Sequence, residues 1–143
     1  MFIGEFRHTM DPKNRISIPS KFREDLGERF YVTKGLDSCL FVYTEEEWRK
    51  FEAKLRTLPL SNKNARAFAR TFLSGAHECS IDKAGRVLIP QPLKEFASLD
   101  KEVFVNGAGS RIEIWDVDRW NAYIDEVSAD MESIAEGMEN LEI

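Results

Sequence analysis

The stretch Asp11–Pro19, DPKNRISIP, is written again at Asp82–Pro90 as DKAGRVLIP. Each copy reads Asp, three residues, Arg, a short apolar run and Pro. The copies superpose Asp11 on Asp82, Arg15 on Arg86, Ile16 on Val87, Ile18 on Ile89 and Pro19 on Pro90. Phe22 then falls on Leu93. After a one-residue shift, Gly35 meets Gly107, Leu40 meets Ile112, Tyr43 meets Trp115, Trp48 meets Trp120 and Phe51 meets Tyr123. This repeat restricts the fold more than any other feature. A unit of roughly forty residues is marginal by itself, so two of them must bury their apolar faces against each other or against another chain. The expected result is an intramolecular pseudo-dimer with a rough two-fold axis.

Each unit carries the same local script. Asp-Pro-Lys-Asn and Asp-Lys-Ala-Gly are turn sequences, in which Asp bonds nearby backbone and Gly closes the turn. A strand follows each turn. Ile16 and Ile18 share one face, while Arg15 and Ser17 share the other. Proline ends the strand. A short helix comes next, with Phe22 and Leu26 four apart in the first unit and Pro92 in the first helical turn of the second. A hairpin follows: FYVTK, turn GLDS and CLFVY, then EVFVN, turn GAGS and RIEIW. A helix opening near Thr44 or Asp116 closes each unit, and Thr44 with Glu47 fits a capping box.

Between the units, the spacing of Trp48, Phe51 and Leu55 predicts an amphipathic helix over residues 45–58. Leu58-Pro59-Leu60 interrupts it. Ser61 is the expected cap of a second helix whose apolar face is Ala65, Phe68, Ala69 and Phe72. From Trp120 to Ile143, Ile124, Val127, Met131, Ile134, Met138 and Leu141 recur three and four apart, which predicts a final helix with acidic outer faces. The expected organisation is a first unit at 5–47, a bridging helical hairpin at 48–75, a second unit at 76–119 and the acidic helix at 120–143.

Hydrophobic residues make up 43% and charged residues 31%, a globular composition with no apolar run long enough to span a bilayer. The start, MFIGEFRHTMDPK, lacks a signal-peptide pattern, so a cytoplasmic location is expected. Cys39 and Cys79 have neither CxxC spacing nor nearby His, and small buried thiols are expected rather than a metal site. The net charge of -5 is unevenly spread: residues 1–34 and 35–72 each carry +2, and residues 73–143 carry -9. A local basic face is therefore compatible with the acidic whole. Arg7, Lys13, Arg15, Lys21 and Arg23 crowd into the span 7–23, with Glu5 and Asp11 nearby. Arginine on a strand can enter the major groove and hold guanine with two hydrogen bonds, and a β-ribbon fits that groove.

The residues resemble the MraZ family of bacterial regulators. The likeness lies in the two Asp-xxx-Arg units, each followed by an apolar strand, Pro and a short helix, and in the opening MFIGEFRHTMDPKNRISIPSKFR. It covers roughly residues 1–123. The resemblance implies an α+β, mainly β fold of tandem AbrB-like swapped-hairpin units that form an intramolecular pseudo-dimeric barrel. It implies a sequence-specific DNA-binding transcriptional regulator of the division and cell-wall gene cluster, acting at short promoter repeats including its own. Double-stranded promoter DNA and further copies of the chain, assembled as a ring, are the implied partners. A nucleoid-associated cytoplasmic location follows. No membrane partner, small-molecule substrate or cofactor is implied.

On matching positions, the resemblance gives Lys13 and Arg15 as DNA contacts in the first unit, with Lys83 and Arg86 in the second. Arg7 and Lys21 are supporting candidates. Pro92 stands where the first unit has Lys21, so the second helix is less basic. Asp11 and Asp82 have a catalytic alternative as paired carboxylates, but their turn setting favours a structural role. No triad, phosphate loop or metal-ligand cluster appears in the sequence, so no catalytic residue and no metal site is expected. Trp48 and Trp120 are expected in packing rather than base stacking. The rival functional class is an oligomeric protein-interaction or antitoxin-like module that binds DNA incidentally.

Overall fold

A computed structural model describes residues 1–139. The chain is a mixed α+β structure in which most of the strands lie in one open antiparallel sheet, while the helices, with a long one near the C-terminus, hold more residues than the strands, so the fold is not mainly β. The strands are β1 (Phe2–Thr9), β2 (Arg15–Ser17), β3 (Arg29–Lys34), β4 (Leu40–Thr44), β5 (His77–Ser80), β6 (Arg86–Leu88), β7 (Glu102–Gly109) and β8 (Ile112–Asp116). The helices are α1 (Ser20–Leu26), α2 (Glu45–Arg56), α3 (Lys63–Ser74), α4 (Gln91–Phe96) and α5 (Val117–Glu136). Six strands form one sheet in the order β1-β7-β8-β4-β3-β5, and β2 with β6 forms a separate ribbon.

The pairing crosses between the repeats. β1 of the first copy lies on β7 of the second, with Phe2 opposite Gly109 and Thr9 opposite Glu102. β5 of the second copy lies on β3 of the first, with Arg29 opposite Ser80. β2 and β6 pair with each other, and β4 joins β8 at the centre. Among the described residues the main ladder is open, with β1 and β5 at its edges, rather than hydrogen-bonded around a full barrel. A bridge from Met10 to Ile16 links the end of β1 to the ribbon.

Both faces of the sheet are covered, which explains the unbroken apolar run of β4. Alternate side chains Leu40 and Val42 enter one core, and Phe41 and Tyr43 enter the other. The first core holds Ile16, Ile18, Phe22, Leu26, Val87, Ile89 and Leu93, so the ribbon and the helices α1 and α4 close that face. The second is aromatic. Trp48 and Leu55 of α2, Phe72 of α3 and Trp115 of β8 are buried there, with Trp120 and Tyr123 of α5 packed alongside. The two tryptophans at equivalent repeat positions thus serve packing.

Several local expectations change. The strands β1 and β5, which precede each Asp turn, carry no strand assignment in the sequence reading. EVFVN does not stop at a GAGS turn: β7 continues to Gly109, because β1 lies alongside and extends the ladder. Gly107 permits this approach, since a Cβ there would overlap the β1 backbone at Phe2 and Ile3. The cap of α3 is Asn62 rather than Ser61; its side chain accepts a 3.0 Å hydrogen bond from the Ala65 N–H. Thr44 and Asp116 cap α2 and α5 as their sequences indicate, accepting from Glu47 N and Arg119 N. Along α5, Val117 is buried, whereas Met131 and Ile134 are exposed; the helix starts three residues before Trp120 and ends at Glu136, so the exposed Met138 lies beyond its Gly137 cap. Leu141 of the apolar periodicity lies outside the described residues. Cys39 is buried and Cys79 half-buried, and burial raises both thiols, Cys79 to about 11.

Candidate nucleic-acid interface

The Asp-xxx-Arg spacing has the same physical meaning in both copies. Asp11 Oδ1 accepts from Lys13 N at 2.9 Å and from Arg15 N at 2.8 Å, while Oδ2 accepts from Arg15 Nε at 2.6 Å. Asp82 Oδ1 accepts from Ala84 N and Arg86 N, both at 2.9 Å, and Oδ2 accepts from Arg86 Nε at 3.0 Å. One carboxylate oxygen therefore shapes the turn and the other aims the arginine. The backbone closes each loop as well, Asp11 N donating to Arg15 O and Asp82 N to Arg86 O, both at 2.9 Å.

These bonds shift both carboxyls. Desolvation works to raise Asp11, but the hydrogen bonds from Arg15 and Lys13 prevail and hold it below its ordinary value. The Arg86 backbone bond is the largest influence on Asp82, which is lowered as well. Both aspartates are thus built into the turns.

The clamp uses the Nε of each arginine. No hydrogen bond among the described residues takes the Arg15 Nη groups; Arg86 Nη1 lies 3.8 Å from Asp11 Oδ2, tying the second turn to the first. Arg15 stands opposite Leu88 and Arg86 opposite Ser17 in the β2–β6 register, with Ile16 opposite Val87 between them. Ile16 and Val87 are fully buried, so Arg15, Ser17, Arg86 and Leu88 form the outward face of the ribbon.

The turns also lock into each other. Asn14 (φ 62°) and Gly85 (φ 79°) occupy equivalent left-handed positions. Ile89 N donates to Asn14 O, and Ile18 N donates to Gly85 O, each at 2.9 Å. Lys94 Nζ of α4 donates to Asn14 Oδ1 at 2.8 Å. The corresponding residue of α1, Arg23, donates Nε to Ile18 O at 2.7 Å and lays its guanidinium over Gly85, where a Cβ would overlap it. Arg23 and Lys94 therefore belong with the arginine turns, although neither is among the contacts expected from the sequence. Their equivalence under the repeat was the available signal.

The other candidates divide. Lys13 and Lys83 are exposed on the two turns. They are not equivalent, however: Ala84 N makes the bond that Lys13 N makes, and Lys83 takes the place of Pro12. Lys21 is exposed on α1. Arg7 stands apart on β1, where it pairs with Glu102 at 2.7 Å. On the same strand, Glu5 accepts from Trp120 Nε1 at 2.6 Å. His8 has a lowered pKa, from burial first and the Arg23 charge second.

Two clamped arginines, half-buried on the outward face of one ribbon, form a paired module built from two copies of a single turn. Comparison with known proteins makes the assignment specific. The family model for the MraZ protein, described as antitoxin-like, matches twice, over residues 1–71 and 72–140. Proteins named Transcriptional regulator MraZ are 58% identical in Clostridium acetobutylicum and 57% in Clostridium tetani, over all of both chains in each case. One from Carboxydothermus hydrogenoformans is 55% identical over 96% of each chain. The chain belongs to the MraZ family, and it is a transcriptional regulator rather than an enzyme.

Proposed function

We propose that this chain binds promoter DNA sequence-specifically through the outward face of the β2–β6 ribbon, and so regulates the bacterial division and cell-wall gene cluster, its own promoter included. The observation that carries this reading is the pair of arginines, Arg15 and Arg86, each clamped through Nε by its own aspartate on the one outward face of the ribbon. An arginine held at Nε has its two Nη groups directed as a fork, which suits the O6 and N7 acceptors of guanine in the major groove. Lys13 and Lys83 flank the ribbon as phosphate contacts, with Lys21 and Arg23 adding positive charge from α1. Arg7 is a weaker contributor, because its charge is already paired with Glu102.

The reciprocal strand pairing supports reading the two units as swapped hairpins wrapped into one pseudo-dimeric barrel. Further copies, arranged as a ring, would set several such faces against direct promoter repeats. Each face binds a short motif modestly, and tethering raises the effective concentration of the next. The protein would then act in the cytoplasm, at the nucleoid.

Fluorescence anisotropy tests this with DNA from upstream of the protein's own gene against scrambled DNA, at about 150 mM salt, where non-specific binding is weak. The wild type should prefer the native sequence. Arg15→Ala should lose roughly five- to hundredfold in affinity for it, with little change on scrambled DNA. Equal weak binding to both DNAs would count against the proposal and favour an antitoxin-like protein-interaction role.

A further inference from the structure

We propose that Leu88 reads the 5-methyl group of a thymine next to the base held by Arg15, and that this contact gives the recognition face a direction. The inference rests on the ribbon being the DNA-reading face.

The internal symmetry breaks on the outward face of the ribbon. The four outward side chains of the ribbon are two register pairs, Arg15 with Leu88 and Ser17 with Arg86. The repeat relates Arg15 to Arg86 and Ser17 to Leu88. The arginines keep the two-fold. The other two positions abandon it, with a hydroxyl in one copy and an isobutyl group in the other. Leu88 is 59% exposed, while Val87 and Ile89 on either side are 0% and 1% exposed. Its side chain belongs to neither core cluster among the described residues.

A single exposed leucine is ordinary on a protein surface. This one differs in its position. Cross-strand neighbours in an antiparallel pair stand about 5 Å apart at Cβ, so Leu88 sits beside the Arg15 stem on the face that would enter the groove. The major groove offers an apolar side chain one strongly apolar feature, the thymine methyl. Ser17, at the related place beside Arg86, can hydrogen-bond to several base edges and makes no demand for a methyl group. A face with two like arginines but unlike neighbours therefore prefers one orientation on DNA. Direct repeats suit such a face better than palindromes.

The test replaces thymines of the upstream DNA one at a time with deoxyuridine, which removes only the methyl group. Anisotropy is read at about 150 mM salt for wild type, Leu88→Ser and Arg15→Ala, after thermal unfolding confirms that each variant is folded. For wild type, one thymine position per bound repeat should cost about three- to fivefold in affinity when its methyl is removed. Leu88→Ser, which restores the two-fold, should bind the thymine and deoxyuridine duplexes equally at that position while still preferring upstream over scrambled DNA. The proposal is overturned if wild type prefers the upstream DNA yet responds to no deoxyuridine, or if Leu88→Ser keeps the same methyl dependence. Loss of all preference for upstream DNA in the wild type would instead refute the DNA-reading face, and the thymine contact with it.

Discussion

Asp11 and Asp82 each divide two tasks between two oxygens. Oδ1 holds two backbone N–H groups of the turn, and Oδ2 fixes an arginine through Nε. The spacing of four residues makes this possible, because the turn returns Arg to the side of Asp. For that reason the motif was legible in the sequence: its whole geometry is local. Arg23 and Lys94 were less legible, because each reaches the turn of the other copy and only their equivalence under the repeat points to them. Both aspartates have pKa values below the ordinary 3.8 in the folded chain. A depressed carboxyl contributes stability that is fully present above its unfolded pKa and is lost as pH falls through the folded one. Wild type should therefore resist urea better than the double variant Asp11→Asn, Asp82→Asn at neutral pH. The difference between their midpoints should hold down to roughly pH 5 and shrink steadily below about 4. A difference that stays constant down to pH 2 would contradict the role given to these carboxylates.

At the scale of elements, the sequence was most informative where a segment announces its own geometry. Alternation of Ile16 and Ile18 against Arg15 and Ser17 gave the ribbon its buried and outward faces. Thr44 and Asp116 gave the helix starts through their capping side chains. β1 and β5 were hidden for a different reason. FIGEFRHT contains a glycine and mixed polarity, HECS is only four residues long, and both become strands by pairing with the other copy. The α3 cap shows how close candidates are resolved. Ser61 and Asn62 both suit an N-cap by residue type, yet Asn62 is the one whose side chain reaches the Ala65 N–H. Asn62→Ala should cost about 1 kcal/mol in urea unfolding, whereas Ser61→Ala should change stability by less than about 0.5 kcal/mol. The reverse ranking would move the cap back by one residue.

For the whole molecule, the reciprocal pairing makes each repeat dependent on the other. β1 finds its ladder partner in β7, β3 gains β5, and β2 pairs with β6. Residues 1–74 alone would retain the β3–β4 hairpin but leave β1 and β2 without those partners, and the central β4–β8 seam would be an open edge. Residues 75–143 would leave β5 and β6 in the same state. Each half would also expose the apolar side chains that it contributes to the first core, Phe22 and Phe30 from one and Val87 and Leu93 from the other. A chain of that size with half a core falls below what burial can stabilise against chain entropy. Neither half should therefore be a folded monomer: amide proton spectra of residues 1–74 or 75–143 alone should be poorly dispersed, and mixing the halves should restore the dispersed spectrum of the intact chain. A dispersed spectrum from 1–74 as a monomer would mean that the copies fold separately and only dock. The duplication would then have no part in building the scaffold that holds both arginines on one ribbon.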